Sequence, residues 1–174
     1  MAPNPLVNLI CGSSSDHEVA QKSKWREIMR AAGIPCWYSD ISAHHHDCFL
    51  GPHLKEMRGV GVQFFVALVG MKPDLGTAIA AKEKDAIVYH VPIPSTSLGV
   101  LDPCSSVLTI PDGLAVRCVG VGARGLSSTA LDIWKDLARA DEAMRESYLA
   151  FMAAYKDPPN FNVGEEVFFA KKPT

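Results

Sequence analysis

Three consecutive histidines, His44-His45-His46, follow Ser42-Ala43 and precede Asp47. Imidazole is the side chain that exchanges a proton near neutral pH, so this run offers general acid/base chemistry. It also offers metal ligation. Successive side chains point in different directions, so at most two of the three serve one ion, and a further ligand from His17, Asp47, His53 or His90 must then be recruited. A solvated polar loop without function is the plain alternative.

The stretch Gly12-Ser13-Ser14-Ser15-Asp16 carries a second kind of chemistry. Gly12 permits a tight turn, and serine hydroxyls beside the unpaired N–H groups of a helix start suit an anion. Asp16 repels bare phosphate but accepts hydrogen bonds from ribose hydroxyls, so a phosphosugar fits this loop better. An ordinary helix cap explains the same residues without a ligand. Neither the Gly-x-Gly-x-x-Gly fingerprint nor a P-loop is present, which leaves dinucleotide and nucleotide-triphosphate readings little support. In a third stretch, Val69-Gly70-Met71-Lys72-Pro73-Asp74-Leu75-Gly76, Gly70 allows backbone to approach a ligand, Lys72 adds a positive charge and Asp74 caps the next helix. Ser95 stands in a stiff, hydroxyl-rich run, Pro92-Ile93-Pro94-Ser95-Thr96-Ser97.

These stretches lie at the ends of strand-length apolar runs: Leu6–Cys11, Cys36–Ile41, Gln63–Val69, Ala86–Val91 and Leu114–Val121. Helical stretches separate most of them. Asp16–Ala32 carries Trp25, Ile28, Met29 and Ala32 on one stripe, with Gly33 and Pro35 as stop signals. Asp47–Arg58 reads as a second helix that must hold Pro52 early or break there. Asp74–Lys84 reads as a third, and Ser127–Tyr155 keeps a helical period with a break near Arg139–Asp141. Alternating strand and helix predicts a three-layer, doubly wound α/β fold of flavodoxin or Rossmann type, with about five parallel strands and a C-terminal helical extension. Right-handed crossovers place every strand's carboxyl end, and the loop after it, along one edge.

The 174 residues, 48% hydrophobic and 21% charged, predict one globular domain over 1–174, with a core at 6–155 and a tail at 156–174. Lys and Arg number 17 against 19 Asp and Glu, and the resulting net charge of −2 argues against a nucleic-acid partner. Apolar runs such as Phe64–Val69 are far short of a bilayer span, and Met1-Ala2-Pro3-Asn4-Pro5 lacks the features of a signal peptide. Cys11, Cys36, Cys48, Cys104 and Cys118 form no Cys-x-x-Cys pair, which fits reduced thiols in the cytoplasm. Cys11 and Cys118 read as small core residues.

Taken together the loops resemble the phosphoribosylaminoimidazole carboxylase family of purine biosynthesis, from about Leu6 to Tyr155. Gly12-Ser13-Ser14-Ser15-Asp16 is similar to the family's Gly-Ser-x-Ser-Asp, and Ser42-Ala43-His44 to its Ser-Ala-His, in the family's order. Gly33–Cys36, Val66–Gly70 with Leu75-Gly76, and Val91–Pro94 look more like the animal-type branch, which uses carbon dioxide directly. The mutase branch's Gly-Gly-x-x-His-Leu segment is absent.

The resemblance implies that Ser13, Ser15 and Asp16 hold the ribose phosphate, that Ser42 touches the substrate and that His44 carries the proton. Gly12, Ala43, His45, Gly70, Lys72, Leu75 and Ser95 complete the expected binding set. Aminoimidazole ribonucleotide is an enamine whose ring carbon attacks carbon dioxide, and the hydrogen on that carbon must leave to restore aromaticity. No metal, biotin or other cofactor is required. The implied partners are the phosphoribosyl-imidazole substrate, carbon dioxide or bicarbonate, and further copies of the chain in a homo-octamer whose last helices reach across subunits. Two departures stand out: His45 where the family has Arg or Lys, and Gly70-Met71-Lys72-Pro73 where the animal type has Gly-Arg-Ser-Asn. Lys72, Arg124 and protonated His45 are the available replacements for the missing charge. A divergent decarboxylase or mutase of specialised metabolism, or a non-catalytic nucleotide-binding protein, are the alternatives.

Overall fold

The computed structural model describes residues 6–13, 15–70, 74–94, 99 and 101–155. Four of the apolar runs form strands: β1 (Val7–Cys11), β2 (Cys36–Asp40), β3 (Phe64–Val69) and β4 (Ile87–Pro92). All pair in parallel, in the order β2-β1-β3-β4. Every residue of β1 and β3 is buried, which is why both read as unbroken apolar runs. β2 is an edge strand with Trp37 and Asp40 exposed, and its sequence mixes polar and aromatic residues accordingly.

Asn8 is the polar exception inside β1. Its amide donates to the Trp37 carbonyl (3.3 Å) and to Ser39 Oγ (3.0 Å), both on β2, and its Oδ1 lies 2.9 Å from His53 Nε2. These bonds satisfy a group that would otherwise cost free energy in the interior.

The helices are α1 (Asp16–Lys22), α2 (Trp25–Ala31), α3 (Asp47–Gly59), α4 (Leu75–Lys82), α5 (Leu101–Leu108), α6 (Gly122–Leu137) and α7 (Glu142–Tyr155). The core on one face of the sheet joins Ile10, Phe65, Ala67 and Val69 to Leu50, Leu54 and Met57 of α3 and to Leu75 and Ile79 of α4. By the two-residue period of a strand, Phe64, Val66 and Leu68 turn to the opposite face. There the Lys24 amide, between α1 and α2, donates to Ser127 Oγ of α6 at 2.9 Å. Helices therefore cover both faces, as the doubly wound pattern requires.

Local chemistry altered several sequence expectations. The stretch 16–32 is two helices, because Ser23 adopts an extended conformation and its Oγ both donates to the Ala20 carbonyl (2.7 Å) and accepts from the Trp25 amide (3.2 Å). Pro52 lies inside α3 without ending it. The fifth strand expected at Leu114–Val121 is reduced to one parallel bridge between Arg117 and Tyr89, made by Arg117 N–H to the Val88 carbonyl (2.9 Å) and His90 N–H to the Arg117 carbonyl (2.8 Å). Gly120, at φ 153°, turns the chain away into α6 before a ladder extends. Helix α5 had no counterpart in the sequence reading. The break expected near Arg139–Asp141 separates α6 from α7.

The chain forms two compact units, Met1–Trp134 and Lys135–Thr174. The first holds the sheet. In the second, Asp141 accepts the Met144 amide (2.9 Å) to cap α7, Arg145 pairs with Glu142 (3.1 Å), and Phe151 stacks on Tyr155 at 5.2 Å. None of the residues of α7 is fully buried; Met144, Tyr148, Phe151, Met152 and Tyr155 are half-buried. Among the described residues no helix is long and apolar enough to cross a membrane.

Candidate active site

The strand order fixes where a ligand belongs. From β1 the chain moves to β2, then crosses back over β1 to β3, so the direction of winding reverses between β1 and β3. Open parallel sheets bind ligands in the crevice at such a reversal, beyond the carboxyl ends of the strands. Here those ends carry Gly12 and Gly70.

Neither glycine has a positive φ, so the loop does not draw on a glycine-only backbone conformation at either position. The smallness of Gly12 is used for close approach: a Cβ there would stand 3.1 Å from Val69 Cγ1 and 3.4 Å from Asp16 Oδ2. The Gly12 amide donates to the Leu68 carbonyl at 3.1 Å, tying the first loop to β3. Asp16, at the start of α1, is buried with only 5% of its surface exposed. Its Oδ2 accepts the Ser13 amide at 2.8 Å, and its Oδ1 lies 3.9 Å from where a Cβ on Gly70 would be. Burial pushes this carboxyl above its ordinary range, against the pull of its bonds from Ser13 and Gly12. Ser13 Oγ and Ser15 Oγ, both exposed, are 2.8 Å apart.

The histidine loop is closed by Ser42. Its Oγ accepts the amides of His44 and His45 (3.3 Å each), and its own amide donates to His46 Nδ1 (3.2 Å), while the His46 amide returns a bond to the Ser42 carbonyl (2.9 Å). His46 is thereby spent on the loop. His45 is exposed, and Ala43 packs against the core beneath. His44 reaches across: its Nε2 lies 3.4 Å from Asp74 Oδ2, an ion pair whenever the ring is protonated. Asp74 precedes α4 but makes no side-chain cap; its carboxylate is given to His44 instead. β1 lies between β2 and β3, so this contact spans the carboxyl end of β1.

The expected residues thus divide. Gly12, Ser13, Ser15, Asp16, Ser42, Ala43, His44, His45 and Gly70 all lie at the carboxyl edge around β1. Leu75 stands at the same edge, but its side chain is buried in the core with Ile79 and Val88, so only its backbone is available to a ligand. Lys72 and Ser95 lie outside the described residues, as do Ser14, Met71, Pro73 and the tail 156–174. Arg124 is exposed in the first turn of α6.

The histidines named as further ligands for the His44–His46 run have settings of their own. His53 Nε2 lies 3.0 Å from Ser39 Oγ as well as 2.9 Å from Asn8, and burial lowers its pKa. His17 is hydrogen-bonded to Asp40. His90 is fully buried on β4, and burial pushes it down to about 4. The side chain of Asp47 is outside the described set. Sequence reading took Asp74 for a cap and passed over Asp40. The available signal for both was position, since each is an acid placed at a strand end or just beyond it.

A family model described as AIR carboxylase matches residues 6–157. Among curated proteins, N5-carboxyaminoimidazole ribonucleotide mutase of Aquifex aeolicus is 31% identical over 118 residues, 68% of this chain and 69% of that protein. The protein of the same name from Saccharolobus solfataricus is 30% identical over 155 residues, 84% of this chain and 96% of its own length. A crystal structure of a PurE2 variant from Treponema denticola superposes with a TM-score of 0.74 at 22% identity, covering 87% of this chain and 91% of that one, a likeness of fold.

Proposed function

The chain belongs to the AIR carboxylase family, and from that premise we propose that it adds carbon dioxide to the imidazole ring of 5-aminoimidazole ribonucleotide and removes it again, with His44 carrying the proton. The observation that carries the reading is the pairing of His44 with Asp74, which joins the ends of β2 and β3 across the carboxyl end of β1. In the carboxylation direction the ring carbon forms its bond to carbon dioxide and keeps its hydrogen for a moment. His44 takes that hydrogen as a proton, and the electron pair of the C–H bond restores the aromatic ring. In reverse, His44 returns the proton to the same carbon and the C–C bond to the carboxylate breaks.

The remaining residues bind. The Ser13 and Ser15 hydroxyls meet the phosphoribose, Asp16 accepts from a ribose hydroxyl, and Gly12 and Gly70 let the ring approach the backbone. Ser42 shapes the loop that presents His44, Ser95 adds a substrate contact, and Lys72, Arg124 and protonated His45 stand in for the family's missing cation. The same reading treats 1–174 as one domain of a cytoplasmic enzyme that assembles with copies of itself. The half-buried apolar stripe of α7 supports assembly, and the octamer is the form the family resemblance implies.

A second reading follows from the relatives, which are named as mutases. In it the carboxylate arrives on the substrate's own ring amine rather than as free carbon dioxide. The direct reading is favoured by sequence: the mutase branch's Gly-Gly-x-x-His-Leu segment is absent from this chain. Incubation with aminoimidazole ribonucleotide and bicarbonate, and separately with the N5-carboxylated ribonucleotide, decides between them. Turnover of the first alone supports direct carboxylation, and turnover of the second alone supports the mutase. Failure of both, with tight binding of the ribonucleotide, leaves a binding protein.

A further inference from the structure

Behind the first loop, one residue from Asp16, three side chains of different chemistry converge. Cys11 ends β1, Asp40 ends β2, and the register of the two strands makes them lateral neighbours. His17, in the first turn of α1, stands over them. The Cys11 sulfur, one His17 ring nitrogen and one Asp40 oxygen all lie within 4.8 Å of one another, and the His17 nitrogen is already hydrogen-bonded to the Asp40 carboxylate.

We propose that Cys11, His17 and Asp40 form a binding site for a divalent transition metal, with zinc the best chemical match. A sulfur, a nitrogen and an oxygen donor with one position left to water is an open tetrahedral zinc set. Donors in such a set stand about 3.5 Å apart, so on loading the His17–Asp40 hydrogen bond opens to admit the ion and the Cys11 sulfur turns toward it, both through side-chain torsions. The positions are set by strand register and a helix start rather than by a free loop, which keeps the ordering cost of binding small.

Loading balances simply. The metal displaces the thiol proton of Cys11 and any proton held between His17 and Asp40, and those protons leave to solvent. Charge favours a cation: Asp40 is itself a ligand and Asp16 precedes His17 directly, so two carboxylates lie at or beside the cluster. The site differs from the one expected of the histidine run, since none of His44, His45 or His46 belongs to it. His17 is half-exposed and Asp40 more so, while Cys11 is buried at the inner side of the cluster.

The test uses the full chain, stripped with chelator and desalted, then titrated with cobalt(II) and with zinc(II) alone. One equivalent should bind, with proton release in calorimetry and a thiolate-to-cobalt charge-transfer band. Asp40→Asn and His17→Gln, at exposed positions, should each weaken binding by more than the roughly 10–100-fold that loss of an outer partner costs. Cys11→Ser should remove the charge-transfer band. The triple variant His44→Ala, His45→Ala, His46→Ala should bind as the parent does. Absence of binding, a cobalt spectrum without sulfur, or binding that survives Asp40→Asn but not the triple variant overturns the proposal. Should Cys11→Ser fail to fold, the two exposed variants decide alone.

Discussion

Gly76 lies so close to the ring of His90 that a Cβ on the glycine would stand 2.7 Å from Nδ1 and 3.0 Å from Cγ. One is in the first turn of α4 and the other is buried in β4, so this contact seats the helix that follows the third loop. Gly76→Ala should therefore destabilise the protein. Overpacking costs about 1–3 kcal/mol, against about 1 kcal/mol that alanine returns through helix propensity. Urea denaturation measures the balance, and a cycle with His90→Ala should show the two changes to be strongly coupled. A stabilised Gly76→Ala variant would mean that the ring is not where we place it.

His90 also sets a dependence on pH. Neither ring nitrogen has a hydrogen-bond partner among the described residues, and burial lowers its pKa from 6.5 to about 4. The unfolded chain therefore binds the proton first as pH falls. Stability is full above pH 6.5, declines from there to about pH 4 and then levels, by roughly 3 kcal/mol at most. His53, lowered in the same sense, adds to the slope. The difference in unfolding free energy between His90→Leu and the parent should grow in favour of the variant across that window. A difference that is flat with pH would contradict the assignment.

The proposed proton carrier and its partner should separate kinetically. His44→Ala should lower kcat by about 10²–10⁴-fold while ribonucleotide binding and the melting temperature change little, because the side chain is exposed and makes no core contact. Asp74→Asn keeps the shape of the partner and removes its charge. A smaller loss in kcat, an altered pH–rate profile and an unchanged affinity are expected, read from initial rates and calorimetry. An active His44→Ala enzyme would end the mechanism.

Periodicity located the four strands to within a residue at either end, since β1 and β3 are buried on both faces and leave no polar residue to confuse the pattern except Asn8. It misread 16–32 as one helix because Ser23 breaks the chain through its own hydroxyl, a bond that leaves the apolar stripe intact. It overstated the last strand because Leu114, Val116 and Cys118 alternate correctly as half-buried residues, yet Gly120 and Gly122 end the pairing after one bridge. At the site, residue types named His44 and Asp16. What they omitted was pairing: Asp74, the partner of His44, and Asp40, the partner of His17, come from other strand ends, and only the strand order brings them near.

Asp16 should show a trade between stability and binding. Its folded pKa is raised by burial, so ionisation is less favourable in the folded chain than in the unfolded one. The sign follows: stability is lost as pH rises from the ordinary carboxylate pKa through the raised one, and stays lost at neutral pH. Asp16→Asn keeps an acceptor for the Ser13 amide and removes the buried charge. It should therefore be as stable as the parent or more so at pH 7, with the gain vanishing in acid below the unfolded carboxylate pKa. Under the proposed function it should also bind aminoimidazole ribonucleotide about tenfold or more weakly, as loss of a charged hydrogen bond costs roughly 1.5–3 kcal/mol. Thermal unfolding at two pH values and a binding isotherm test both halves. A destabilised variant at pH 7 would show that the carboxylate is held for structure rather than for a ligand.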